Sequence, residues 1–96
     1  MAKVRWSSAV QEDINMIYDH ISIDSEFHAV KFTDKLFART LILETQPQNG
    51  KIVSEFNDIT IREVIEPPYR IIYKVVSEEE ISIVRVYHRA RILKKL

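Results

Sequence analysis

The chain has 96 residues, 46% of them apolar, with no cysteine, one glycine, and fourteen basic side chains against fourteen acidic ones. A length of this order gives one domain, residues 1–96, that buries about two-thirds of its unfolded surface, and the apolar content excludes a disordered chain. The missing cysteine excludes disulfides, thiolate catalysis and Cys-based zinc sites, and the single glycine excludes a glycine-rich nucleotide loop.

The zero net charge hides a segregation. Arg85, Arg89, Arg91, Lys94 and Lys95 fall in the last twelve residues with no acid among them, so the preceding body is acidic. A basic terminal segment on an acidic body points to a local anionic contact, a phosphate or an acidic partner, or else to a solvated tail. The first residues, MAKVRWSSAVQEDI, hold no continuous apolar stretch, and no run approaches the ~20 residues that span a bilayer. The expectation is a cytoplasmic protein with no membrane contact.

In chain order, Lys3 to Trp6 alternates polar and apolar residues and reads as a short strand with Val4 and Trp6 facing the core. Ser8 and Gln11 have the form of a capping box, with Glu12 and Asp13 in the first turn. Val10, Ile14, Ile17 and Ile21 then share one helical side, giving a helix over about 9–21. Asp24 and Ser25 cap a second helix over about 26–45, striped by Ala29, Phe32, Leu36 and Leu43. Lys31, Lys35 and Arg39 lie four apart on another side, which reads as the wet side of an amphipathic helix, the alternative being a phosphate-binding row. So short a link makes the two helices an antiparallel hairpin. QPQNGK ends the second helix, and residues 51–58 form a connection without a periodic pattern.

Three β-branched runs follow, Ile59 to Ile65, Tyr69 to Val76 and Ile81 to His88, separated only by Glu66-Pro67-Pro68 and Ser77-Glu78-Glu79-Glu80. Such breaks between Val, Ile and Tyr runs read as an antiparallel meander whose middle run is the central strand. The order β-α-α-β-β-β gives an α+β fold, an antiparallel sheet with the helical hairpin packed on one face and the other face partly open.

The chemistry available is that of Arg and His on the meander. Neighbouring antiparallel strands bring the start of one beside the end of the next, so Arg70 and His88 are expected to approach each other. A guanidinium beside an imidazole suits a phosphodiester: Arg clamps two oxygens and His moves a proton, with Glu55 or Glu63 as a candidate base. The alternative is a structural Arg–Glu pairing. The three histidines form no metal-ligand spacing, so neither metal nor cofactor is expected.

WSSAVQEDI, PQNGKIV, IREV, PPYRIIYKV and ISIVRVYHRAR, in that order along nearly the whole chain, resemble the RelE/ParE superfamily of bacterial type II toxin-antitoxin toxins. The resemblance implies the fold above, a cognate antitoxin that wraps the toxin, and a growth-inhibiting target, with a homodimer or a toxin-antitoxin hetero-oligomer as the assembly. RelE-like members cut mRNA on the ribosome, whereas ParE-like members inhibit DNA gyrase. Arg70 and Arg89 match arginines of the nuclease branch, but Ile61 and Glu63 stand where that branch places two lysines, and its late tyrosine is missing. Arg70, His88 and, loosely, Glu55 match a related nuclease subgroup, with Arg89 in place of a tyrosine. The missing lysines and the neutral charge disfavour a protein that grips ribosomal RNA. The reading is therefore a ParE-like, plasmid-stabilising toxin with Arg62, Arg70, Arg89 and Arg91 as contact residues; the alternatives are a ribosome-dependent endoribonuclease using Arg70, His88 and Glu55, or an inert relative that only binds its antitoxin.

Overall fold

A computed structural model describes residues 1–91 and 93; Lys94 and Lys95 of the basic tail lie outside the described residues. Strand β1 (Lys3–Trp6) leads into α1 (Ser8–Ser22) and α2 (Glu26–Leu41), which ends in a 3-10 turn at Ile42–Glu44. Strands β2 (Lys51–Ile52), β3 (Ile61–Glu66), β4 (Tyr69–Ser77) and β5 (Glu80–His88) complete one sheet in the order β1-β5-β4-β3-β2. No helix among the described residues is long and apolar enough to cross a membrane.

The α+β class and the helical hairpin on one face match the sequence reading, but the sheet is mixed rather than antiparallel. The meander β3-β4-β5 is antiparallel, as is its pairing with β2, whereas β1 runs parallel to β5, Lys3 opposite Glu80 and Trp6 opposite Ile83. The helical hairpin accounts for this. It carries the chain out and back, so that the Ala2 N–H reaches the Glu44 carbonyl at 2.8 Å, and the three-strand meander, entered at the end where β1 begins, leaves β5 running the same way as β1. The connection after α2 also contributes the two-residue strand β2, too short to carry a periodic signal.

Ser7, not Ser8, caps α1: its Oγ accepts the Val10 N–H at 3.0 Å and donates to the Val84 carbonyl, tying the helix start to β5. Asp13 accordingly lies beyond the first turn, on the side that faces the sheet. Ser25 caps α2 as its sequence implies. Val10, Ile14 and Ile17 of α1 and Leu36 of α2 pack on Val64, Ile71, Tyr73, Ile81, Ile83 and Val86 to form the main core. Thr33 and Thr40 share the buried side of α2, because each hydroxyl donates back to a carbonyl of the preceding turn and so enters the core without an unpaired polar atom. Val53, Ile72, Tyr87 and Leu93 make a second, smaller cluster on the opposite face, so that face is partly covered by the segment after β2 and by Leu93.

Tyr73 is fully buried in the central strand, and its hydroxyl donates to the Pro47 carbonyl at 2.8 Å and accepts the Gly50 N–H at 2.9 Å. The chain passes so close there that a Cβ on Gly50 would lie 2.5 Å from the Glu63 carbonyl oxygen and 2.6 Å from the Tyr73 hydroxyl. Gly50→Ala is therefore expected to lower stability by about 1–3 kcal/mol, the usual penalty for overpacking, measured as a lower urea midpoint. Because one clash is with backbone, adding Tyr73→Phe is expected not to restore the midpoint; an unchanged midpoint in Gly50→Ala would contradict the close approach.

Candidate functional site

Paired residues share a face of a ladder, and neighbours along a strand alternate. Arg70 stands opposite Ile65 and Tyr87, on the face away from the helices, while Tyr69 and His88 stand opposite each other on the helix-covered face. The expected approach of Arg70 and His88 is thus corrected: they occupy sheet positions one residue out of step, and their side chains leave on opposite faces. The structure brings Arg70, Glu55 and Arg89 to one hollow of about 380 Å³, shared with Lys51 and Glu63. His88 and Arg91 line another, between α1 and the ends of β4 and β5. Arg62 is in neither: its Nη1 donates to the Gly50 carbonyl at 2.9 Å.

Arg70 is buried, and two carboxylates hold it. Glu63, itself 4% exposed, accepts from Nε at 2.9 Å and from Nη2 at 2.8 Å. Glu55, on the segment after β2, accepts from Nη1 at 2.6 Å and Nη2 at 2.9 Å. Four of the five guanidinium protons are committed in two forked pairs, the geometry in which Arg and carboxylate bind each other best. The structural Arg–Glu pairing is therefore present. The Arg70 hydrogen bonds hold the Glu55 carboxyl down at about 2, with the Leu93 backbone adding to the effect, and the carboxylates hold the Arg70 guanidinium above its usual range. One guanidinium between two carboxylates leaves a residual negative charge, which Lys51 and Arg89 at the rim offset. Arg89 is exposed, and among the described residues only its backbone N–H is engaged, to the Pro68 carbonyl at 2.8 Å.

A second ion pair, which the sequence reading did not identify, joins α1 to β5. Arg85 donates to Asp13 from Nε at 2.8 Å and Nη2 at 2.9 Å, and the same carboxylate accepts the Val86 N–H at 3.0 Å. The β4-β5 register slips between Ile72 and Tyr73, which pair with Arg85 and Ile83. Asp13 caps the backbone group exposed beside that bulge, and its pairing holds the Arg85 guanidinium above its usual range. The signal was in the sequence: Asp13 interrupts an otherwise apolar helical side formed by Val10, Ile14 and Ile17. Arg85 and Arg91 also lie over the Tyr87 ring, their guanidinium carbons 4.7 and 4.6 Å from its centroid.

The fold has counterparts among solved structures. It matches a chain of the chromosomal ParDE toxin-antitoxin system from P. aeruginosa with a TM-score of 0.74 at 21% identity, covering 92% of this chain and 96% of that one. It also matches YafQ from E. coli strain BL21(DE3) with a TM-score of 0.60 at 17% identity, covering 94% and 96%. The architecture of this chain is shared with both. In sequence, residues 4–93 match the family described as ParE toxin of type II toxin-antitoxin system, parDE. The chain is also 32% identical over 93 residues to Toxin RelE2 of Caulobacter vibrioides, covering 96% of this chain and 100% of that protein. This chain belongs to the ParE toxin family of type II toxin-antitoxin systems.

Removing Arg70 strands a buried Glu63, so Arg70→Met is expected to cost about 3–5 kcal/mol in urea unfolding, and Glu63→Leu in the same chain is expected to recover much of the loss. Additive losses would contradict the clamp. Glu55 has its carboxyl lowered on folding from 4.5 to about 2, so its contribution is complete above the unfolded value and is lost as pH falls between the two. Glu55→Gln is expected to flatten the stability curve in that window alone, read from urea midpoints across acidic pH. A wild-type slope retained in the variant would assign the acid sensitivity elsewhere.

Proposed function

We propose that this toxin arrests growth by binding a protein target, DNA gyrase, without cutting RNA, and that a cognate antitoxin in the same cytoplasm neutralises it. The observation that carries the reading is the engagement of Arg70. A nuclease of the RelE kind needs that guanidinium free for a phosphate, and lysines near it to hold more of the backbone. Here Glu63 occupies one of the lysine positions and clamps Arg70, while Ile61 occupies the other on the same face. The substitution reverses the charge where an RNA backbone would lie, so phosphate would have to displace two carboxylates already in forked contact. His88, on the other face, is in no position to serve as proton donor to a phosphate at Arg70.

Arg89 and Arg91 are exposed and remain the candidate target contacts as positive groups that steer and orient docking, whereas Arg62 is engaged by the Gly50 carbonyl and Arg70 by its carboxylates. For the antitoxin, α2 offers an unpartnered side. Phe27, Val30, Phe37 and Leu41 follow helical spacing and are all exposed, the pattern on which an amphipathic partner helix lays its apolar side.

Induced expression is expected to stop growth, to relax plasmid DNA and to leave translated mRNA without new ends by primer extension. Purified protein is expected to inhibit gyrase supercoiling, with Arg89→Glu weakening inhibition while folding is retained. Toxin-dependent mRNA ends that vanish in Arg70→Met and His88→Ala would overturn the reading in favour of a nuclease; growth without arrest would identify an inert relative. Phe27→Ser with Phe37→Ser is expected to reduce neutralisation by the antitoxin and leave toxicity intact.

A further inference from the structure

The cleft between α1 and the outer ends of β4 and β5, about 360 Å³, shares Arg91 alone with the proposed target contacts. Met16, Ile17 and His20 line it from one side of α1, Tyr69, Tyr87 and His88 line it from the sheet, and Arg91 lines it from just beyond β5, its guanidinium over the Tyr87 ring. Its size lies at the small end of the range for ligand sites, roughly 300–1,000 Å³, and its make-up is typical of them, apolar walls with a few convergent polar groups.

Three features define what it would hold. Asp13, the one carboxylate on its lining, is already engaged by Arg85 and by the Val86 N–H, so the cleft keeps the positive charge of Arg91 beside the N–H donors of the two imidazoles. The His88 Nδ1 accepts the Ala90 N–H at 3.1 Å, which places the ring proton of the neutral form on Nε2 and leaves that atom as a donor. The Tyr69 ring is fixed between Phe32, 5.5 Å centroid to centroid, and His88, 5.6 Å in an edge contact, so it is a rigid aromatic wall rather than a mobile surface ring.

We infer that this cleft binds a nucleoside monophosphate, its phosphate held by Arg91 with His88 and His20 and its base against Tyr69, Met16 and Ile17. Guanidinium and imidazole donors suit phosphate oxygens, and an aromatic wall with apolar neighbours suits the face of a base. The site is distinct from the Arg70 clamp, with which it shares no lining residue.

The full-length chain titrated with AMP, and separately with adenosine and with inorganic phosphate, tests this by NMR. AMP is expected to shift Met16, Tyr69 and His88 saturably at millimolar concentration, with adenosine and phosphate each binding about tenfold more weakly, since each makes only part of the contact. Arg91→Ala and His88→Ala are expected to weaken AMP about tenfold, while Lys35→Ala on α2 leaves it unchanged. Arg91 and His88 are exposed, and both variants are checked for a wild-type spectrum. A short oligonucleotide with a terminal phosphate supplies the other source: binding tighter than AMP assigns the site to a strand end, weaker binding to the free nucleotide, and either upholds it. The inference is overturned by the absence of saturable shifts, by AMP affinity surviving in both variants, or by an acidic peptide shifting the same signals more strongly than AMP.

Discussion

One buried guanidinium organises the sheet face that the helices leave open. Arg70 enters the sheet at the start of the central strand, and in a medium of low polarity a charge at that depth is tolerated only when paired and fully hydrogen-bonded. Glu63 on β3 and Glu55 on the preceding segment provide that pairing. The residues beyond β2 are drawn over the sheet, where Val53 packs with Ile72, Tyr87 and Leu93. The second apolar cluster and the ionic clamp are therefore two aspects of one arrangement, with apolar packing excluding water from the charges and the charges fixing where the loop lies.

On the other face the strand β5 is held by a different pair. Asp13 reaches from α1 to Arg85 and to the Val86 N–H beside the bulge, and Ser7 reaches from the helix start to the Val84 carbonyl. These contacts set where α1 crosses the sheet and leave the cleft beyond Ile17. They also account for the disposition of the basic groups: Arg85 is occupied by Asp13, Arg70 by its carboxylates and Arg62 by a backbone carbonyl, whereas Arg89 and Arg91 remain exposed. Of the arginines on the meander, those held by the fold and those available to a partner separate cleanly, which is a property of a binding surface more than of a phosphoryl-transfer site.

Much of the architecture was legible because periodicity and punctuation agreed. The 3.6-residue recurrence of Val10, Ile14 and Ile17, the Ser25 cap and the short breaks between β-branched runs each specify a local structure that packing reinforces. The remainder depended on register. Moving a strand pairing by one residue exchanges its faces, and neither the Ser77 to Glu80 turn nor the bulge near Arg85 declares its register in sequence, so the pattern alone places Arg70 and His88 side by side. The direction of β1 was equally hidden, being set by where the helical hairpin returns the chain. The buried acids were the overlooked clue. Asp13 within an apolar helical side, and Glu63 between Ile61 and Ile65 on one strand face, are costly placements that announce a buried cation nearby.

The central claim is that Arg70 belongs to the fold and is not available to a phosphate. The side-chain Nε–Hε resonance of Arg70, observed by NMR in the isotopically labelled chain, tests it most directly. The account predicts a resonance protected from solvent exchange that keeps its position when RNA oligonucleotide is added in excess. A resonance that exchanges rapidly, or that shifts and saturates with added RNA, would contradict it.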